Sequence, residues 1–131
     1  FGRFRTEVEL EPDMPLVQVN RLQLQKVLVN LFHNGIEAMH GAGVPVPSIT
    51  IKVKTAAESN MAQITVQDCG PGLDTETAHR IFDPFFSTKS EGLGLGLAIS
   101  RALIEANGGQ LWAEVNSSPG ATFHIALPFA S

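Results

Sequence analysis

Over residues 20–41 the apolar side chains Leu24, Val27, Leu28, Leu31, Phe32 and Met39 recur at intervals of three and four, and over residues 48–69 the interval falls to two. A helical period gathers apolar groups into one stripe and a period of two gathers them on one face, so each needs the other as a cover. Asn20 can cap the helix and "GAGVPVP" ends it. "SITIKVKT" and "AQITVQDC" are β-branched runs joined by the polar "AAESN", which reads as a hairpin. The alternation then repeats. "TETAHRIF" is a short helix capped by Asp74 or Thr75 and stopped by Pro84, and "GLAISRALIEANGG" is a second long helix with Leu97, Ile99, Leu103 and Ile104 inward and Gly108 and Gly109 as its stop. "QLWAEVN" and "ATFHIALP" are two more strands around the turn "SSPG". At the other end "RTEVELEPDMPLVQV" places Val8 and Leu10 on one face and Glu7, Glu9 and Glu11 on the other, an edge strand broken by Pro12 and Pro15. The expected fold is a two-layer α/β sandwich, a mixed sheet with helices packed on one face.

Composition narrows the function classes. A chain of 131 residues suits one domain, residues 1–131. A net charge of −4 gives no reason to expect nucleic acid, so an anionic ligand has to be held locally. The single cysteine, Cys69, excludes an internal disulfide and a cysteine-rich metal site, and a reducing compartment is the default. No apolar run approaches the roughly 18 residues of a membrane helix, so a soluble, cytoplasmic domain without direct membrane contact is expected. The chain starts without methionine and turns strand-like at once, which reads as a domain of something longer.

Three stretches carry chemistry. In "NLFHNGIEAM" Asn30 and Asn34 lie one turn apart on an otherwise apolar helix, and asparagine is a mediocre helix former. Either the two amides satisfy each other and nearby backbone, or Asn34 offers a carbonyl oxygen to a hard cation while Asn30 orients it or touches phosphate. In "DCGPGL" the carboxylate of Asp68 ends a strand and Gly70 and Gly72 follow. That pattern makes either a tight turn or a surface on which a flat ring slides against the backbone, its exocyclic amine donating to Asp68. The third stretch, "DPFFSTKSEGLGLGLAIS", lacks the G-x-x-x-x-G-K-[ST] of a P-loop and the glycine spacing of a dinucleotide fold. It reads as a lid over residues 87–93 that carries Lys89 as a mobile charge and runs into a helix at Gly94 to Gly96, with Phe85 and Phe86 packed on the sandwich as its anchor.

Together the stretches resemble, in order and spacing, the N, G1, F and G2 boxes of the histidine-kinase catalytic and ATP-binding domain, of the superfamily shared with gyrase, a heat-shock chaperone and MutL. "NLFHNGIEAM" is similar to the N box, "DCGPGL" to G1, "IFDPFFSTK" to the F box, "GLGLGLAIS" to G2 and "GATF" to the short G3 element. "PFFSTK" followed closely by glycines looks like the nitrogen-regulation or oxygen-sensor subgroup. The resemblance implies a Bergerat-type sandwich with ATP and Mg²⁺ as cofactors. Asn34 would ligand the metal, Asn30 support the phosphates and Asp68 read adenine. Gly70, Gly72, Lys89, Gly92, Leu93, Gly94, Leu95, Gly96 and Thr122 would complete the ATP site, with Asn34 and Lys89 acting on the transferring phosphate. Cys69, His33, Gly35 and Asn20 depart from the usual asparagine, arginine, alanine and aspartate at those places.

The implied function is the ATP-binding half of a two-component sensor histidine kinase. It would present the γ-phosphate to a histidine on a separate helical dimerisation domain, with a response regulator downstream. None of the four histidines here lies in an acceptor-like helical segment. Two alternatives stand beside it: an ATP-hydrolysing member of the superfamily and a nucleotide-free interaction module. Hydrolysis would want a glutamate where Asn30 stands, and a degenerate module would have lost Asn34, Asp68 or the lid glycines.

Overall fold

The computed structural model describes residues 4–56, 58, 60–86, 96–115 and 120–130. Its elements are β1 (Arg5–Leu10), α1 (Arg21–Gly41), β2 (Ser48–Ala56), β3 (Met61–Asp68), α2 (Thr75–Arg80), α3 (Gly96–Ala106), β4 (Gln110–Glu114) and β5 (Thr122–Pro128). The strands form one five-stranded sheet in the order β1-β2-β3-β5-β4. β1 runs parallel to β2 and every other pairing is antiparallel. The mixed α/β sandwich is therefore borne out, with β1 at an edge.

The caps act as the residue types demand. The Asn20 side chain accepts from Gln23 N–H at 3.0 Å at the start of α1, and Asp74 accepts from Thr77 N–H at 2.7 Å at the start of α2. That bond to the Thr77 backbone holds the Asp74 carboxyl below its ordinary range. Gly108, in the left-handed region at φ +79, ends the α3 segment.

Between the layers lie Val27, Leu31 and Met39 of α1, Ile104 of α3, and Ile49, Ile64, Val66, Leu111, Phe123, Ile125 and Leu127 of the sheet. On β3 burial alternates strictly, with residues 62, 64, 66 and 68 toward the helices. Asp68 is thus the last core-facing residue of a strand whose other inward groups are apolar. β1 pairs at the edge as a strand, yet all six of its residues are exposed, so its two faces do not differ in burial.

Two expectations fail. Ile99 is 54% exposed, while Ser100 and Ile104 are the buried residues of α3. At about 100° per residue Ile99 stands two positions, about 200°, from Leu97, so the two cannot share an inward stripe. Phe85 is 74% exposed and in the left-handed region at φ +67, so it does not pack on the sandwich. Phe86 alone is held, half-buried with the Arg80 guanidinium 4.8 Å from its ring centroid. The lid reading over residues 87–93, with Lys89, Gly92 and Leu93, lies outside the described residues, as do Gly94 and Leu95.

Candidate functional site

α1 is the spine of the site. Near its middle Gly35 passes the end of β3 so closely that a methyl group there would stand 3.3 Å from both Cβ and Oδ2 of Asp68. One turn later Met39 lies beneath Gly70, whose missing side chain would stand 3.5 Å from the methionine Cγ. One turn earlier Asn30 meets the first residue of α3, where a methyl group on Gly96 would come within 2.8 Å of Asn30 Oδ1. Asn34 lies between these contacts, about 6 Å along the axis from Asn30. The helix therefore brings Asn30, Asn34, Asp68, Gly70 and Gly96 into one neighbourhood.

Asp68 is 8% exposed and carries the chemistry best defined by the geometry. Its Oδ1 accepts from Gly70 N–H at 2.9 Å and from Ala121 N–H at 2.9 Å. Its own N–H donates to the Ala121 carbonyl at 3.0 Å, which extends the β3–β5 ladder by one step. Burial pushes the carboxyl above its ordinary range, and the two backbone donors pull the other way without cancelling it. Among the described residues both hydrogen bonds fall on Oδ1, while Oδ2 lies against α1, where a methyl group on Gly35 would stand 3.3 Å from it. Each carboxylate oxygen has two lone pairs, so two backbone donors leave this buried group able to accept from a further N–H.

The two glycines after Asp68 do different things. Gly70 gives its N–H to the carboxylate, whereas Gly72 has φ +83 and is pressed against Gly120, whose carbonyl oxygen would lie 3.0 Å from a Cβ. Thr122 is buried but pairs with Gln67, one step out of phase with Asp68. Ala121 reaches the carboxylate through its backbone N–H. Cys69 turns toward Met39, Ser48 and the Val46 carbonyl.

Asn30 donates from Nδ2 to Ser100 Oγ at 3.0 Å, joining α1 to α3. Along the outer side of α1 a groove of about 570 Å³ passes Leu22, Gln25, Lys26, Val29, Asn30 and His33. It lies away from Asp68, beside the Asn30 end of the site. His33 pairs with Glu37 at 3.1 Å one turn along the helix. Among the described residues no group of three His, Cys, Asp or Glu side chains is placed to hold a metal ion, so a cation at Asn34 would have to share that amide oxygen with ligand and water oxygens. Reading the sequence missed Ser100 and the Ala121 amide. A single hydroxyl in the apolar stripe of α3 was the available signal for the first, and a backbone group leaves none.

The sheet order and this cluster define a class. The catalytic domain of the histidine kinase ThkA superposes with a TM-score of 0.81 at 32% identity, covering 96% of this chain and 79% of that one. Full-length ShkA in complex with AMPPNP superposes at 0.79 with 25% identity, covering 98% of this chain and 26% of ShkA. The sensor protein FixL of Bradyrhizobium diazoefficiens is 45% identical over 121 residues, 92% of this chain and 23% of FixL. This chain so spans less than a quarter of the length of that relative. Residues 19–131 match the histidine kinase-, DNA gyrase B- and HSP90-like ATPases, and the chain belongs to that family. It is an ATP-binding catalytic domain of the sensor-histidine-kinase kind.

Proposed function

We propose that the chain binds Mg·ATP in the cluster around Asp68 and α1 and presents the γ-phosphate to a histidine on a separate helical dimerisation domain, from which a response regulator takes it. The observation that carries the reading is the Asp68 carboxylate, buried at the end of β3 and tied at Oδ1 by two N–H groups, an acceptor with lone pairs to spare for a further donor. Adenine offers an exocyclic N–H₂ to such an acceptor, whereas guanine offers a carbonyl oxygen at the corresponding place and would leave the acceptor unpaired. Gly70, without a side chain beside the carboxylate, lets a flat base approach the backbone. Asn34 contributes one hard amide oxygen to magnesium, and the ion, when bound, neutralises phosphate charge. Asn30 steadies the phosphates, and Lys89 with the amides from Gly92 to Gly96 completes their neutralisation, as the resemblance implies. In the transfer a histidine nitrogen bonds to the γ-phosphorus as the bond to the β,γ-bridging oxygen breaks, and ADP leaves with that electron pair.

Hydrolysis is disfavoured by the same geometry. The position one turn before Asn34 holds an amide already bonded to Ser100, and a carboxamide cannot take a proton from water. ShkA was solved with an ATP analogue, which supports a nucleotide site in this fold over a nucleotide-free module.

Calorimetric titration tests the assignment. Asp68→Asn is expected to weaken ATP at least ten-fold, because a charge-accepting hydrogen bond worth about 1.5–3 kcal/mol is replaced by an amide that can present N–H₂ to an N–H₂. Asn34→Ala should weaken ATP more in magnesium than in EDTA. Wild-type affinity in the first variant removes Asp68 from the base pocket, and equal weakening in both buffers removes Asn34 from the metal.

A further inference from the structure

The buried face of α3 holds Leu97, Leu103, Ile104 and one hydroxyl, Ser100, which is 3% exposed. The facing stripe of α1 holds Val27, Leu31 and, opposite Ser100, the amide of Asn30. A polar side chain at such a contact costs free energy unless it is paired, and an apolar pair of similar shape would join the helices at least as well. The two polar groups find each other, Asn30 Nδ2 donating to Ser100 Oγ at 3.0 Å. The pairing also fixes an orientation. With Nδ2 on Ser100, Oδ1 turns toward the first residue of α3, where a Cβ on Gly96 would stand 2.8 Å from Oδ1 and 3.1 Å from Nδ2 and would push the carboxamide out of this position. Ser100 and Gly96 therefore form a slot that holds the Asn30 carboxamide in one plane.

We infer that Ser100 is a positioning residue for the nucleotide's phosphate tail. An amide nitrogen carries two hydrogens. Ser100 takes one of them, and the other, held in a fixed plane, donates to a phosphate oxygen. Without the hydroxyl the amide rotates, and part of its interaction with the phosphates is spent on ordering it. This inference rests on the nucleotide reading of the site and concerns the tail alone, not the base.

The experiment is a double-mutant cycle in nucleotide affinity on this chain, using Asn30→Ala, Ser100→Ala and the pair, with Ser100→Thr as the variant that restores a hydroxyl. ADP and adenosine are the probes, and a thermal melt of each variant reports folding. Ser100→Ala should bind ADP about five-fold more weakly, the effect of one ordinary hydrogen bond, while adenosine binding is unchanged. Ser100→Thr should recover part of the loss, and the double variant should bind no more weakly than Asn30→Ala alone. A purely structural pin predicts instead a lower melting temperature with unchanged ADP affinity, and that result overturns the inference. So does an equal loss for ADP and adenosine, or a double variant in which the two losses simply add. Wild-type ADP affinity in Asn30→Ala overturns it as well, and then it is the phosphate role of Asn30 that has failed; the base role of Asp68 is judged separately by Asp68→Asn.

Discussion

The Asp68 carboxyl gives up water at the end of β3 and receives two backbone N–H groups in return. The return is incomplete, because burial still raises its pKa. In the unfolded chain an aspartate titrates near 3.9, so above that pH the unfolded chain has released a proton that the native chain retains until the higher folded pKa is passed. Stability contributed by this group is therefore greatest below the unfolded pKa and falls as pH rises through the window between the two values. Asparagine keeps an oxygen for both N–H donors and has no charge to desolvate. Asp68→Asn should consequently melt at a higher temperature than wild type at pH 7, with the gain shrinking as pH is lowered toward about 4, while losing ATP. A lower melting temperature at pH 7 would mean that the N–H donors stabilise the charge by more than burial costs. Under the proposed function such a site trades stability for an acceptor. Asp68 was legible in the sequence as a candidate, because an aspartate closing a β-branched run and followed by alternate glycines makes either a tight turn or a base pocket. Its backbone partner from residue 121 was not, because any residue supplies an N–H and only the register of β5 decides which.

The elements that hold the carboxylate meet at two glycines of left-handed conformation, Gly72 at φ +83 and Gly120 at φ +98. A Cβ on Gly120 would overlap the Asp68 carbonyl oxygen, which is backbone and cannot swing aside. Gly120→Ala therefore combines the roughly 1–2 kcal/mol of a positive φ with a clash at the junction of β3 and β5. The expected cost is about 3 kcal/mol or more, on the order of 10 °C in melting temperature, together with weaker ATP binding as the Ala121 amide shifts. A melt within a degree or two of wild type would show that the β3–β5 junction yields easily. At this scale the sequence was informative about type and poor about partners. Two periods and the caps at Asn20 and Asp74 located helices and strands from local physics alone. The outward turn of Ile99 was there to be read in its two-residue offset from Leu97, whereas the parallel pairing of β1 with β2 depends on contacts between segments distant in sequence. Phe85 shows the same limit: an aromatic side chain reads as buried until its backbone, here left-handed, points it into water.

Across the whole molecule the chain closes on itself, with Gln18 N–H bonded to the Pro128 carbonyl at 2.9 Å and Ala130 N–H to that of Leu16 at 2.7 Å. Its histidines are spoken for or misplaced as acceptors. His33 pairs with Glu37 on α1, His40 lies in the last turn of α1, His79 is on the six-residue α2, and His124 is held in the sheet by Glu114 at 2.7 Å and stacked on Trp112. None stands on a helix of its own that could dock against the site from outside. The donor half of the reaction is thus expected here and the nucleophile elsewhere, in keeping with relatives of which this chain spans only part. Incubated with radiolabelled ATP and magnesium, the chain alone should take up no acid-labile phosphate. Added to a separately produced helical acceptor domain of its cognate kinase, it should label that domain, and Asn34→Ala should reduce the labelling by ten-fold or more, since phosphoryl transfer depends on charge neutralised at the leaving phosphate. Label on the isolated chain would place an acceptor among its own four histidines. Sustained release of inorganic phosphate without any acceptor would overturn the transfer reading, because a site whose Asn30 is an amide has no group on that turn to activate water, and another base would have to be found.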